Sequence, residues 1–121
     1  MGLELHTRKP ATLELENHMA HCTGTDQYYR YMNSRFVYTD GVREFAKKAE
    51  AYWFIDLCFS HLARLPDDCY LIKLIVEGSK ATITIEADEV VAKQKIPYTD
   101  CPEGEWLFYC CDNVLLWNGE Y

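Results

Sequence analysis

Three parts of this sequence hold residue types from which small proteins build chemistry. His18, His21 and Cys22 form H-x-x-H-C, a spacing that offers two or three nitrogen and sulfur ligands to zinc. A closed site needs a fourth ligand, from Cys101, Cys110 or Cys111, and no C-x-x-C pair exists to supply it. Surface histidines beside a core cysteine are the preferred reading, with no metal and no cofactor expected. Asp56 lies within A-Y-W-F-I-D-L-C-F. On a continuous helix at 100° per residue it falls between Ala49 and Trp53, on the most apolar stripe. It is therefore expected as a buried polar group, and a buried carboxylate must be paired or take up a proton. That permits a general acid or base. The preferred reading is structural, with Arg30, Arg35 or a tyrosine hydroxyl as its partner. Lys73, Glu77 and Glu86 have the residue types of a metal-dependent nuclease, but strand alternation puts them on a solvated face. No nucleophile elbow, phosphate loop, dinucleotide fingerprint or H-E-x-x-H occurs. No catalytic residue is assigned. The alternative kept open is a small hydrolase or nuclease using Asp56 or the His18/His21/Cys22 group.

The elements that must position such groups begin with the size of the chain. Its 121 residues suit a single domain, 1–121, with one core, and residues 1–12, mixed in charge and holding Pro10, read as a loose arm or an edge strand. Hydrophobic residues at 49% and charged ones at 26% match an ordinary globular composition. No apolar run approaches a membrane span, and residues 1–20 lack the apolar segment of an export signal. A cytoplasmic protein is expected. All six cysteines (Cys22, Cys58, Cys69, Cys101, Cys110, Cys111) are accordingly read as reduced thiols, mostly buried.

The clearest element starts at Y-T-D-G, where Asp40 is expected to cap a helix. Val42, Phe45, Ala46, Ala49, Tyr52 and Trp53 follow at helical spacing. One long helix is predicted to about Leu65, ending before Pro66, with Ala51–Phe59 apolar nearly all the way round. From Cys69 the period changes. Y-L-I-K-L-I-V, E-G-S-K and A-T-I-T-I-E-A give a β-hairpin. Strands are further predicted at Val90–Tyr98, Trp106–Cys111 and Val114–Trp117, and Phe36-Val37-Tyr38 reads as another after a short helical turn. The fold expected is α+β, an antiparallel β-meander of four to five strands packed against one long central helix. Y-T-D-C at Tyr98–Cys101 repeats the tetrapeptide at Tyr38–Gly41 in an unrelated setting, so two turns share local chemistry and no duplication exists.

Charge is uneven. Residues 61–121 hold 11 acidic and 5 basic side chains, so nearly all of the net charge of −7 arises there. No cluster of Lys and Arg exists to displace counterions from nucleic acid, whereas an acidic face attracts a basic partner. Asp67, Asp68, Asp88, Glu89, Glu103 and Glu105 are the expected contact residues. Tyr28, Tyr29, Arg30 and Tyr31 form a second candidate surface, because Tyr and Arg anchor interfaces.

T-G-T-D-Q-Y-Y-R, Y-T-D-G-V with A-Y-W-F-I-D downstream, Y-T-D-C-P and the terminal D-N-V-L-L-W-N-G-E-Y together resemble a family of small uncharacterised bacterial domains, from Leu13 to Tyr121. The resemblance implies a setting on bacterial genomes, phages and plasmids, and carries no catalytic residue. The function expected is a small, acidic, non-catalytic protein-binding module. Its implied setting is that of a phage or plasmid inhibitor of a host defence system, such as an anti-CRISPR protein. The partner would be a protein with a basic surface, for instance a nucleic-acid-handling complex, with no direct nucleic-acid or membrane contact. A homodimer is a third reading.

Overall fold

The computed structural model describes residues 9–121; the predicted arm falls largely outside them, and Pro10 already opens a helix. Helix α1 (Pro10–Met19) has its proline in the first turn, where the missing N–H costs nothing and φ is preset. Thr12, Leu15 and Met19 turn to the core, and Thr12 Oγ1 donates to the Glu103 carbonyl at 2.7 Å.

The long central helix is replaced by two short ones, α2 (Asp40–Lys48) and α3 (Tyr52–Leu62). Glu50 takes φ +55°, and the chain closes α2 around it. Ala51 N–H reaches the Ala46 carbonyl at 2.8 Å and Glu50 N–H the Lys47 carbonyl at 3.4 Å. This is the bond pair of a Schellman motif, with Glu50 at the left-handed position that glycine usually fills. Ala46 and Ala51 are both fully buried, which supplies the apolar contact across the cap. A glutamate gives no sequence warning of such a break, because its side chain carries no signal for the left-handed backbone it adopts here.

The sheet has seven strands, β1 (Tyr28–Arg30), β2 (Val37–Thr39), β3 (Cys69–Glu77), β4 (Lys80–Glu86), β5 (Val90–Ile96), β6 (Gly104–Cys111) and β7 (Val114–Trp117). Their order is β1-β2-β7-β6-β3-β4-β5. The expected four-to-five-strand antiparallel meander is thus corrected on three counts. Tyr28–Arg30, read as a helical turn, is an edge strand. After β5 the chain crosses over, and β6 pairs with β3 from Cys69↔Cys111 to Val76↔Gly104. Finally β2 joins β7 in parallel, Val37↔Val114 and Tyr38↔Leu115, making the sheet mixed. Local signals did fix the hairpins. Gly78 supplies the positive φ of the β3–β4 turn, and Asp112 and Asn113 have φ of 54° and 70°, the two left-handed residues of a type I′ hairpin.

One face of the sheet is apolar. Tyr70, Ile72, Leu74, Val76, Ile83, Ile85, Phe108 and Leu115 are buried there with Leu15, Phe45, Phe54 and Phe59 of the helices. Phe45 is the hub: its ring lies 5.0 Å from Phe108, 5.7 Å from Trp106 and 6.0 Å from Phe54. Burying a side chain of this size contributes about 1.5–3 kcal/mol, which fixes α2 against β6 and β7. The opposite face remains half-buried along β3, β4 and β6 and carries the Lys73–Glu86 ion pair at 3.3 Å.

The reading of six reduced cysteines is also corrected. Cys69 and Cys111 form a disulfide across 42 residues of chain. They are directly opposed on β3 and β6, a pairing invisible until β6 is known to leave β5 for β3. Cys22, Cys58, Cys101 and Cys110 are free. No helix of the described residues is long and apolar enough to cross a membrane.

Candidate functional site

The H-x-x-H-C residues do not converge. His18 Nε2 lies 3.1 Å from Glu44 Oε1, His21 is exposed and Cys22 is half-buried. Among the described residues no group of three His, Cys, Asp or Glu side chains is placed to hold a metal. Asp56 is exposed, not buried. The break at Glu50 resets the helical phase, so a projection carried through from residue 40 put it on the wrong face. It does accept a hydrogen bond from the Tyr31 hydroxyl at 2.7 Å, a partner of the anticipated kind, and that bond pushes the Tyr31 pKa up.

Asp40 is likewise reassigned. Thr39 is the residue that precedes α2 and accepts from Val42 N–H at 3.4 Å. The Asp40 carboxylate instead accepts from the backbone N–H groups of Asp26 and Gln27, each at 3.0 Å, and so ties the T-G-T-D-Q turn to the start of α2. In the second tetrapeptide Thr99 Oγ1 accepts from Cys101 N–H at 3.0 Å, while Asp100 accepts from the Tyr98 hydroxyl at 2.8 Å. In both, threonine bonds the local backbone; the aspartates serve different ends.

Sequence reasoning missed Glu120. It stands in a 3-10 turn, Asn118–Glu120, that follows β7. Its carboxylate accepts from Thr39 Oγ1 at 2.6 Å, Thr25 Oγ1 at 2.8 Å, Trp117 N–H at 2.9 Å and Gly41 N–H at 3.0 Å. Charge-assisted bonds of this kind are among the stronger ones in proteins. A Cβ on Gly41 would run into this carboxylate and lie 2.9 Å from Trp117 Cβ. T-G-T-D-Q, Y-T-D-G and W-N-G-E, separate in the sequence, thus meet at one point. Because every oxygen there is occupied from within the chain, the cluster is a structural latch. Its legible signal was Gly41 and Gly119 beside complementary Thr and Glu, with nothing to say that they touch.

The buried thiols are inert nucleophiles. Burial pushes Cys101 and Cys110 up to about 12 and raises Cys58 well above its ordinary value. Cys22 is raised by burial and then by the carboxylates of Glu120, Glu44 and Asp40.

The surface residues divide into three groups. Strand register sets the loops before β3, between β4 and β5 and between β6 and β7 at one end of the sheet, since Leu71 pairs with both Glu86 and Tyr109. Asp67, Asp68, Asp88, Glu89 and Asp112 therefore share that end, and all five are exposed. The Asp112 N–H donates to the Asp68 carbonyl at 2.8 Å, joining two of the loops. Among the described residues the ion pairs are Lys9–Glu103, His18–Glu44 and Lys73–Glu86, and none draws on this rim. Glu103 and Glu105 belong to the opposite end, around Gly78 and Gly104. There Glu103 accepts from Gly78 N–H and pairs with Lys9 at 3.2 Å, which together lower its pKa. The tyrosine group lies on the β1 edge. Tyr28 is 61% exposed, Tyr29 stacks on Tyr38 at 5.5 Å with the Arg43 guanidinium 4.9 Å from its ring centre, and Tyr31 packs on Phe59 at 4.8 Å.

A family profile described as family of unknown function DUF6876 matches residues 13–121. The chain belongs to this family. For this DUF6876 member, comparison with curated proteins and with solved structures finds no match. The matched span starts inside α1 and takes in all seven strands, so latch, rim and tyrosine edge all fall within it.

Proposed function

We propose that this DUF6876 member is a non-catalytic protein-binding module that presents the Asp67/Asp68/Asp88/Glu89/Asp112 rim to a basic protein surface. The observation that carries this reading is the sheet order, which gathers five exposed carboxylates from three loops, none of them in an ion pair among the described residues. Unneutralised carboxylates raise the local negative potential and speed encounter with a positive partner. The finer form of the proposal is a phage- or plasmid-type inhibitor of a host defence system, such as an anti-CRISPR protein. In that form the rim occupies the basic groove of a nucleic-acid-handling complex.

Affinity capture from host lysate tests both forms. The wild-type chain, an Asp67→Lys/Asp68→Lys/Asp88→Lys/Glu89→Lys variant and a Glu50→Lys control are compared at low and high salt. A basic protein retained by wild type and control, and lost on reversal or in salt, supports the reading. The same set of proteins bound by all three chains contradicts it.

A further inference from the structure

Every carboxylate of the rim's first and third loops stands within two residues of a half-cystine. Asp67 and Asp68 precede Cys69, and Asp112 follows Cys111. Cys69 is exposed and Cys111 half-buried, so the Cys69–Cys111 disulfide lies at the solvent-facing acidic end of the sheet, with Cys69 as its exposed partner. The neighbouring cations are Arg64, exposed in the same loop as Asp67 and Asp68, and Arg35, which shares a cleft with Asp67, Asp68 and Cys110 and donates to Asn113 Oδ1 at 3.3 Å. Asp88 and Glu89 stand at the same end, where Glu86 is already paired with Lys73 at 3.3 Å. Carboxylates therefore outnumber guanidinium around the bond. The free Cys110 points to the core and is 3% exposed, so it is not placed to resolve the bridge.

We propose that the Cys69–Cys111 disulfide is a thiol-exchange site whose reductant is selected by charge, accepting electrons from cationic or neutral dithiols and resisting anionic thiols. In the first step a thiolate attacks Sγ of Cys69, the more exposed residue of the pair; the S–S bond to Cys111 breaks as a mixed disulfide forms. Cys111 leaves as a thiolate and takes a proton from water. The second thiolate of the dithiol then attacks the donor sulfur of the mixed disulfide and releases Cys69. Two electrons pass from the dithiol, which becomes the disulfide, to the protein, which gains two thiols. Selection arises before bond making, because an anionic thiolate must enter the field of Asp67, Asp68 and Asp112. Once reduced, the loops before β3 and after β6 are joined there by the Asp112–Asp68 backbone bond without the covalent tie.

This deepens the proposed rim by giving it a redox state, and it rests on the rim's field and not on any partner. The test uses cysteamine, 2-mercaptoethanol and mercaptoacetate on the full chain, with each rate divided by that thiol's rate on a neutral disulfide. At low salt the normalised rate should fall in that order, by about tenfold from cationic to anionic thiol, and the gap should close in high salt, where screening is short. Asp67→Asn/Asp68→Asn/Asp112→Asn keeps the backbone bond and should sharply reduce the selectivity, and adding Asp88→Asn/Glu89→Gln should abolish it. Equal normalised rates in the wild type would overturn the proposal, as would alkylation of Cys69 and Cys111 in the denatured chain without prior reduction. No partner enters this assay, so failure of the capture experiment and failure of charge selection are read separately.

Discussion

At the scale of single residues the chain is decided by a few carboxylates and by two backbone positions. Glu120 fills a cradle of two threonine hydroxyls and two N–H groups. Glu120→Gln turns an amide donor toward groups that are themselves donors, and leaving one unpaired costs about 1–3 kcal/mol. Chemical denaturation should show a loss of that order, with a fully folded baseline. Glu50 offers the opposite sign. Its left-handed φ of 55° is disfavoured for a side chain by about 1–2 kcal/mol, more than the roughly 0.5–1 kcal/mol that glycine's unfolded-state freedom takes back. Glu50→Gly should stabilise slightly, and Glu50→Lys should change nothing; a clear loss in the glycine variant would contradict the Schellman cap. Glu103 brings pH into play. Its pKa is lowered by the Gly78 N–H and then by Lys9, so its contribution is present above the ordinary glutamate range. That contribution is lost as pH falls through the lowered folded value, and a carboxyl NMR titration should show Glu103 turning over below the ordinary glutamate range. These residues also mark where the sequence was readable. The hydroxyl partner of Asp56 was legible because tyrosine is abundant nearby; its exposure was not, because Glu50 hides the phase reset.

At the scale of elements, what could be read was what is local. Strands β3 and β4 declare themselves by alternation and a glycine turn, and β6–β7 by Asp112-Asn113. Each needs only neighbours in sequence. The pairing of β6 with β3, the parallel β2–β7 contact and the edge strand β1 depend on segments far apart, where no side-chain pattern states a partner. The disulfide follows the same rule, since Cys69 and Cys111 become neighbours only through that pairing. A bond closing a loop of this length typically stabilises by about 2–4 kcal/mol. Reduction should therefore lower the melting temperature measurably, and Cys69→Ser/Cys111→Ser should melt where the reduced chain does. An unchanged melting temperature with and without reductant would mean that the tie carries no stability.

At the scale of the whole molecule, the sheet order converts an uneven charge into a directional one. The sequence showed that its second half is acidic. It could not show that Glu103 and Glu105 would separate from Asp67, Asp68, Asp88 and Glu89, or that Asp112 would join them, because these residues are placed by the register of β3 with β4 and β6. The tyrosine edge at β1 lies across the sheet from the β5 edge and is of mixed charge, with the Arg43 guanidinium over Tyr29 and the Asp56 carboxylate on the Tyr31 hydroxyl, where the rim is mainly acidic. A titration of isotope-labelled protein with a lysine-rich peptide, followed by backbone amide NMR, puts the central claim to its most direct test. The amides of Asp67, Asp68, Asp88, Glu89 and Asp112 should shift together with one apparent affinity, weaken together as salt is raised, and leave Glu105 and Glu50 unmoved. Shifts scattered over all acidic positions, or centred on Tyr28–Tyr31, would contradict the account.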